Sequence, residues 1–356
     1  MLIRRALLTF VAITYLVFTA TKTRGATFYS ITDIGPATGI TGLNDSGQVA
    51  GLGPSGSFLY DGAYHAIPNP TGGTFYAAAL NNNGQVVGEI SFPGFSYAIG
   101  LYSGGTVQVL GLGSNVSGSA INNAGLIAGD LIYQYQAMTY ANGTITPIGV
   151  LPGDGESTTR GLNQAGDVLV YSAGSIGHAG IYLGGALRAV TGSAGLDVQP
   201  EGINNLDQVV GSYSTANRAL PVEAILFSGG QAIPLGALAG TGTEESFADA
   251  INDSGIIVGS TMFTAQSRAT VFDPDLGPVD LNSLLVNGSG WTLQSARRVN
   301  DAGQIAGIGM YQGIESGFLL DPVPTPEPLS AGFTALGVAL LVVLYCRRRA
   351  SAGSRE

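Results

Sequence analysis

The chain has 356 residues, of which 55 are glycine and only 11% are charged, and this composition favours short strands joined by tight turns over long helices. Residues 27–325 hold six Lys and Arg against 22 Asp and Glu, a net charge of −16. That charge excludes a nucleic-acid partner, because phosphate binding needs clustered basic side chains. Cys346 is the only cysteine, so residues 27–325 form neither a disulfide nor a cysteine zinc cluster.

Residues 1–26 read as a secretory signal peptide. Arg4 and Arg5 form a basic start, and an apolar stretch runs from residue 6 to residue 18. We expect cleavage after Ala20 or Ala26, although neither has an ideal small residue two positions earlier. An uncleaved membrane anchor is the alternative. Either reading predicts that the rest of the chain is exported.

One short signature then recurs seven times. It consists of an aliphatic residue, Asn, two variable residues, Gly, one variable residue, Val or Ile, one variable residue and Gly. Its turn residues are Asn44 and Gly47, Asn81 and Gly84, Asn122 and Gly125, Asn163 and Gly166, Asn204, Asn252 and Gly255, and Asn300 and Gly303. In two copies a glycine is replaced, by Val170 at the end and by Asp207 in the turn. The asparagines are 37 to 48 residues apart, which indicates a repeat architecture.

Each signature predicts a β-hairpin. The Asn side chain bonds its own backbone to open a tight turn, and the Gly three residues later takes the positive φ that closes it. A second apolar stretch follows in each unit, for example residues 57–60 of the first unit, and then a further one, for example residues 107–111 of the second unit. With the two strands of the hairpin, this gives four strands per repeat. We therefore predict an all-β fold, a seven-bladed β-propeller of four-stranded blades over residues 27–321.

The ends of the repeat region predict how the ring closes. The seventh unit supplies only three strands before Pro322, whereas residues 28–35 precede the first signature and match the fourth-strand pattern. We predict that this N-terminal strand completes the last blade, because closure protects sheet edges. An open β-solenoid is the competing architecture.

The units resemble the bacterial extracellular repeats of the HAF family, through the Asn-x-x-Gly-x-Val-x-Gly core and the aromatic-aliphatic strand after it. The resemblance spans nearly all of residues 28–320. No unit has the His-Ala-Phe tripeptide that is usual in that family, and the nearest forms are Ser57-Phe58, Tyr97-Ala98, Gln136-Ala137 and His178-Ala179. The family is defined by sequence and implies no particular activity.

The sequence holds no catalytic constellation. His65 and His178 are the only histidines and fall in different repeats, and no Gly-x-Ser-x-Gly, His-Glu-x-x-His or phosphate-loop motif occurs. We expect no metal or cofactor; calcium is the one cation that the Asn-rich turns leave open, although they lack the ligand series of an EF-hand.

We predict a non-enzymatic binding or structural scaffold, or a spacer. A polysaccharide-active hydrolase or lyase is the alternative, and two carboxylates about 5–10 Å apart in the central channel would favour it.

The face opposite the Asn turns is the candidate ligand face, because it carries the longer connections. Acids and aromatic rings there suit sugars, which bind through hydroxyl hydrogen bonds and ring stacking. The candidate ligand residues are Tyr133, Tyr135, Tyr213, Asp154, Glu156, Glu244 and Glu245, and the same connections are expected to contain Asp197, Glu201, Phe92, Phe95, Phe263 and Tyr311. We predict that this face binds extracellular polysaccharide; a solvated rim without a ligand is the alternative.

The C-terminal end has three parts in a fixed order. Pro326-Glu327-Pro328 ends a Pro-rich linker (322–328), an apolar stretch (329–346) is long enough for a transmembrane helix, and Arg347-Arg348-Arg349 begins a basic cytoplasmic tail (347–356). This end resembles the PEP-CTERM sorting signal of Gram-negative bacteria, with an ordinary single-span anchor as the alternative. The resemblance implies transient anchoring in the inner membrane, cleavage by an exosortase-type protease, and delivery to the cell envelope or extracellular matrix, often beside exopolysaccharide production.

Overall fold

The computed structural model describes residues 27–94, 96–215, 221–240, 242–264 and 266–324. The predicted signal peptide, the sorting motif, the predicted transmembrane helix at 329–346 and the basic tail lie outside the described residues. Within the described ranges, no helix is long and apolar enough to cross a membrane.

The described strands form seven antiparallel sheets of four. Blades 1 to 3 are β2–β5 (Gly39–Leu43, Val49–Gly53, Gly56–Tyr60, Tyr64–Ala66), β6–β9 (Thr74–Leu80, Val86–Phe92, Ser96–Ser103, Thr106–Leu110) and β10–β13 (Val116–Ile121, Ile127–Leu131, Gln136–Ala141, Thr144–Pro147). Blades 4 to 6 are β14–β17 (Glu156–Leu162, Val168–Ala173, Gly177–Leu183, Ala186–Ala189), β18–β21 (Leu196–Ile203, Val209–Thr215, Glu223–Ser228, Gln231–Pro234) and β22–β25 (Glu245–Ile251, Ile257–Met262, Ser267–Asp273, Gly277–Asp280). Blade 7 combines β26–β28 (Trp291–Val299, Ile305–Tyr311, Ile314–Val323) with β1 (Phe28–Pro36).

The seven sheets radiate from a central channel, which confirms the predicted seven-bladed β-propeller. The first strand of each blade contacts the first strands of its neighbours, so these seven inner strands line the channel. The sheets pack face to face, and the alternating apolar residues of the repeats fill the space between them in separate clusters. Phe58, Phe75, Phe272 and Phe318 are the largest of the fully buried side chains.

The N-terminal strand closes the ring, as predicted. Strand β1 pairs antiparallel with β28, from Phe28 opposite Val323 to Pro36 opposite Ser316. Tyr29 and Ile34 of β1 are only 3% exposed. A 3-10 helix, Leu281–Leu284, leads into a segment that covers the outer edge of β1, where the Val286 N–H donates to the Tyr29 carbonyl at 2.9 Å. The sheet edge is thereby protected.

The signature requires glycine at two positions, for two different steric reasons. The turn glycines take a positive φ, for example 76° at Gly47, and Asp207 adopts 55° where the fifth unit lacks the glycine. The last glycine of the signature lies against the inner strand. A Cβ atom on Gly88 or Gly129 would overlap the carbonyl oxygen of Tyr76 or Ser117, respectively, so the close approach of the two strands requires glycine there.

The ring has two faces. The turn face carries the Asn turns and the turns between the third and fourth strands of the blades. The loop face carries the turns between second and third strands and the connections between blades. Strand β26 ends at the turn face, and β28 runs in the same direction. Because Phe28 pairs with Val323, both ends of the described chain leave side by side from the turn face.

Candidate functional site

The signature asparagines organise their turns through the side-chain amide, and Asn44 shows the full pattern. Asn44 Oδ1 accepts from the backbone N–H groups of Ser46 at 3.1 Å and Gln48 at 3.0 Å. Its Nδ2 donates to Gln48 Oε1 at 2.7 Å and to the backbone carbonyl of Asn81, in the next blade, at 3.1 Å. The side chain is 2% exposed. A carboxylate or a hydroxyl lacks this combination of two donors and two acceptors.

The donated bonds between blades run around the ring. Six are present, from Asn44 to Asn81, Asn81 to Asn122, Asn163 to Asn204, Asn204 to Asn252, Asn252 to Asn300 and Asn300 to Asn44, at 2.8–3.3 Å. The last of them joins blade 7 to blade 1. The signature asparagines therefore bind neighbouring blades together, in addition to their predicted role in the turn.

A second ring of hydrogen bonds uses the residue after each asparagine. Its backbone N–H donates to the side-chain oxygen of the equivalent residue in the next blade at 2.7–3.0 Å, and the circle is complete. The seven residues are Asp45, Asn82, Asn123, Gln164, Asn205, Asp253 and Asp301. We treated this position as variable, yet every copy carries a side-chain carbonyl or carboxylate, so the signal was present in the sequence.

Three of these residues, Asp253, Asp301 and Asp45, bring carboxylates together on successive blades. Burial raises the pKa of Asp301, the Asp253 backbone hydrogen bond lowers it, and the charges of Asp253 and Asp45 raise it further. Each of the three carboxylates accepts a hydrogen bond from the backbone N–H of the equivalent residue in the preceding blade. Among the described residues no group of three or more His, Cys, Asp or Glu is arranged to hold a metal ion. The hydrogen bonds that join these turns give the ring a structural role.

The loop face presents an aromatic rim on blades 2 to 4, which we define as Tyr97, Tyr133, Tyr135 and Glu156. Tyr133 and Tyr135 lie in the turn between β11 and β12 and are 56% and 60% exposed. The Tyr133 ring meets Tyr97 edge-on at 6.4 Å between centroids. The Tyr135 carbonyl accepts from the N–H of Ser157 at 2.8 Å, which places it beside the exposed Glu156 of the next blade. Three predicted ligand residues are therefore brought together.

Two other predicted ligand residues are engaged within the protein. The Asp154 side chain is 3% exposed and pairs with His178 Nδ1 at 3.0 Å. The Tyr213 hydroxyl donates to Glu223 Oε2 at 2.9 Å, and burial, followed by this bond, raises the pKa of Tyr213 to about 12. Asp154 and Tyr213 lie on the predicted face, but their polar groups already have protein partners.

The remaining candidates are dispersed. Glu245 begins inner strand β22, and Glu244 precedes it and accepts from the Gly242 N–H at 2.7 Å. Asp197 lies in β18 and accepts from the Gly177 N–H at 2.8 Å. The prediction that Asp197 and Glu201 lie in a connection was wrong, because both fall inside β18, with Glu201 at a bulge. Of the predicted aromatic residues, Phe92 and Tyr311 end strands, Phe263 follows one, and Phe95 lies outside the described residues.

The central channel contains a charged layer that the sequence analysis did not find. Every inner strand has a β-bulge three residues before its asparagine. The bulged residues are Thr41, Ala78, Ser119, Arg160, Glu201, Asp249 and Arg297. Those of blades 4 to 7 are charged, and we call Arg160, Glu201, Asp249 and Arg297 the charged layer. Arg160 pairs with Glu201 at 3.6 Å, and Arg297 with Asp249 at 3.4 Å.

Neighbouring side chains hold the charged layer in place. The Arg160 guanidinium lies over the Tyr171 ring, 5.3 Å from its centroid. Arg298 Nε donates to the Thr41 carbonyl at 2.9 Å and so joins blade 7 to blade 1. On blade 3, Asp130 accepts from Ser119 Oγ at 3.1 Å, and burial raises the pKa of its carboxyl group.

Asp249 carries the most perturbed carboxyl group of this layer. Burial raises its pKa from 3.8 to about 6; the Arg297 and Arg298 charges oppose the rise, and Glu201 adds to it. The folded state therefore holds the Asp249 proton more tightly than the unfolded state does. The contribution of the protonated Asp249 carboxyl group to the free energy of unfolding is greatest below about pH 4. It is lost as the pH rises through about 6.

We expect Asp249→Asn to be more stable than the unmodified ring at pH 7.5, by about 1–3 kcal/mol. The asparagine Oδ1 still accepts from Arg297, while the buried charge is removed. The difference should vanish near pH 4, because both proteins are then neutral at this position. Denaturant unfolding at several pH values tests this, with the exposed Asp275→Asn as the control. Equal stability of the two proteins across the whole range would contradict the assigned effect of burial.

Comparisons with known proteins identify no family for this chain. No protein-family model and no curated protein matches the chain. The putative TolB from Agrobacterium tumefaciens is 13% identical with a TM-score of 0.46, over 62% of this chain and 92% of that one. The β-propeller domain of the Trilobed protease from Pyrococcus furiosus is 12% identical with a TM-score of 0.48, over 68% and 81%. Streptogramin B lyase is 13% identical with a TM-score of 0.47, over 83% and 98%. Likenesses this distant carry no argument about function.

Proposed function

We propose that this chain is an exported, non-enzymatic scaffold of the cell surface or extracellular matrix that presents its loop face to extracellular polysaccharide. In this proposal a HAF-type repeat domain is sorted through a PEP-CTERM signal, anchored transiently in the inner membrane and processed by an exosortase-type protease. The support for export and sorting is the pattern of residues at the two ends of the sequence.

One observation carries the proposal. The described chain leaves the ring from the turn face, where Val323 lies opposite Phe28, and the sorting motif begins at Pro326. A tether at that point holds the turn face toward the membrane. The loop face, with its aromatic rim, then points away from the membrane and toward the matrix. The pairing of Phe28 with Val323 supports this orientation, because it places the end of β28 at the turn face.

The chemistry of the loop face selects the class of polysaccharide. The exposed rings of Tyr133 and Tyr135 offer faces on which a sugar can stack, and Glu156 offers acceptors for hydroxyl groups. Residues 27–325 carry a net charge of −16, which repels polyanions. The proposed ligand is therefore a neutral or amino-bearing polysaccharide.

The test is binding of the purified 27–324 ring to the producer's extracellular polysaccharide and to a glycan array. The double variant Tyr133→Ala/Tyr135→Ala should bind at least about tenfold more weakly, because it removes both stacking surfaces. The matched control is Leu206→Ser/Leu276→Ser, which alters two exposed apolar residues (66% and 75%) of the turn face and should bind like the unmodified ring. Undiminished binding by the tyrosine variant would refute a ligand site at the aromatic rim.

The enzymatic alternative has a specific observation behind it. Glu201 and Asp249 occupy equivalent channel positions on adjacent blades, and the raised pKa of Asp249 suits a general acid. If the ring released new reducing ends from the polysaccharide and Asp249→Asn lost this activity, hydrolysis would replace binding as the function. We favour binding, because both carboxylates are engaged by arginines.

A further inference from the structure

A cavity of about 290 Å³ opens on the turn face between blades 4 and 5. This volume is just below the roughly 300–1,000 Å³ of pockets that bind small molecules in proteins. One wall is the outer half of blade 4, strands β16 and β17, and the other is formed by the Asn turn of blade 5 and the turn after β20. The cavity lies on the side of the ring opposite the aromatic rim, so it is a separate candidate site.

The floor and the opening of the cavity are apolar. Phe227 and Val190 line it and are only 2% and 8% exposed, so they form its floor. Leu183 of blade 4 and Leu206 of blade 5 also line it and are 44% and 66% exposed. Two exposed leucines from different blades thus flank one space, and a ligand that covered them would remove apolar surface from water.

One cation lines the same cavity without a partner in the protein. Arg188 in β17 lies directly opposite Ile181 in β16, and both line the cavity, so they share the side of blade 4 that is turned toward blade 5. The other four described arginines each have an ion pair or a hydrogen bond. Arg188 has neither among the described residues. An unpaired guanidinium beside an apolar floor suits a ligand that has an anionic group and an apolar part.

The acid of the cavity wall lies at its other end. Asp207 is in the Asn turn, which joins the two inner strands of blade 5, whereas Arg188 is in the outermost strand of blade 4. Asp207 Oδ1 lies 3.4 Å from Asn163 Nδ2, which also donates to Asp167 Oδ2 at 3.0 Å. Burial, followed by the charge and the hydrogen bond of Asp167, raises the pKa of Asp207. An anionic group at the outer end of the cavity therefore meets Arg188 and avoids the acidic inner end.

We propose that this cavity binds an acyl carboxylate, an unbranched apolar chain that ends in a carboxylate group. The carboxylate pairs with the Arg188 guanidinium at the outer end, and the chain lies over Phe227 between Leu183 and Leu206. A sugar would leave the two leucines uncovered, and a plain hydrocarbon would leave the guanidinium unpaired. This site goes beyond the proposed function, because it lies on the turn face and does not depend on polysaccharide binding by the loop face.

The experiment titrates octanoate into the 27–324 ring, which contains both partners of every strand pair described, and follows binding by ligand-observed NMR. Octanoate should bind. Octanol has the chain without the charge, acetate has the charge without the chain, and each should bind at least about fivefold more weakly. Arg188→Gln should weaken octanoate binding by about fivefold, as expected for an ion pair at a partly exposed site. Leu206→Ser should weaken it by a similar factor, because it removes apolar surface.

The matched controls are Arg268→Gln and Leu276→Ser, which change a paired arginine and a 75% exposed leucine of blade 6. Both should bind octanoate like the unmodified ring, and thermal unfolding verifies that all four variants are folded. Three results would each overturn the site: no octanoate binding, octanol binding as tight as that of octanoate, or octanoate binding that Arg188→Gln leaves unchanged. The Tyr133→Ala/Tyr135→Ala variant should bind octanoate normally, so a failure of this site and a failure of polysaccharide binding are separate results.

Discussion

Deleting residues 27–36 is expected to abolish cooperative unfolding of the ring and to leave an aggregating chain. The deletion removes the whole of β1 and uncovers the partners of Tyr29 and Ile34. Each of these buried side chains contributes about 2–4 kcal/mol, and a domain is stable by only about 5–15 kcal/mol. The loss also exposes the row of N–H and C=O groups along β28, which can then pair with other chains.

Thermal unfolding and size-exclusion chromatography measure this effect. The control is Phe28→Ser, because Phe28 is in the same strand but 41% exposed. It should unfold close to the temperature of the intact ring. Adding a synthetic peptide of residues 27–36 to the deleted chain should restore a monomer with a cooperative transition, because the peptide supplies the missing strand in trans. A deleted chain that unfolds at the temperature of the intact ring would show that closure by β1 is dispensable.

Asn44→Ala is expected to lower the free energy of unfolding by about 3 kcal/mol. The buried amide makes four hydrogen bonds, two accepted from its own turn, one donated to Gln48 and one donated across to blade 2. Its removal leaves buried N–H groups and a carbonyl unsatisfied. Asn122→Ala should cost about 1–2 kcal/mol less, because Leu126 stands where the first repeat has Gln48 and the Asn122 side chain mainly accepts from Ala124 and Leu126.

Urea denaturation of both variants tests the role of the bonds between blades. A third variant, Asn44→Asp, keeps the acceptor for Ser46 and Gln48 but replaces the donor with a carboxylate near the Asn81 carbonyl. It should therefore be nearly as destabilised as Asn44→Ala. If Asn44→Asp were as stable as the unmodified ring, the bond to blade 2 would contribute nothing. Equal losses at Asn44 and Asn122 would argue against the difference in donated bonds.

The number of blades, the four strands in each and the closing strand could all be predicted from the sequence. The information is local: the Asn-x-x-Gly turn fixes a hairpin, and the alternating Val and Ile fix the strands around it. Closure followed from counting, since the seventh unit lacked a strand that residues 28–35 could supply. Repetition made these inferences robust, because a single weak hairpin signal appeared seven times.

The channel could not be predicted, and the reason is the β-bulge. A bulge breaks the alternation of side chains, so no pattern in the sequence related Arg160, Glu201 and Asp249 to one another. Their pairing also depends on which blades are neighbours in space, and residues about 40–50 apart in sequence meet there only after the ring closes. The second ring of hydrogen bonds, made by the residue after each asparagine, was overlooked for a different reason. Asp, Asn and Gln were counted as variation, although each supplies the same acceptor oxygen.

The candidate ligand face could be predicted from the sequence only in part. Strand order located the loop face correctly, and composition drew attention to its acids and aromatic rings. Asp154 and Tyr213 nevertheless have protein partners, in His178 and Glu223. Such pairings join separate strands or loops, and no local pattern announces them. The side chains of Tyr133, Tyr135 and Glu156 are exposed at the rim, where the Tyr135 carbonyl of blade 3 accepts from the Ser157 N–H of blade 4.

The most direct test of the outward-facing scaffold is amide hydrogen exchange of the 27–324 ring with and without the producer's polysaccharide. The account predicts slower exchange in the loop-face segments 132–135 and 153–157, with the turn-face segments 61–63 and 229–230 unchanged. Protection confined to the turn face would contradict it, because the ligand would then lie on the side from which the tether leaves.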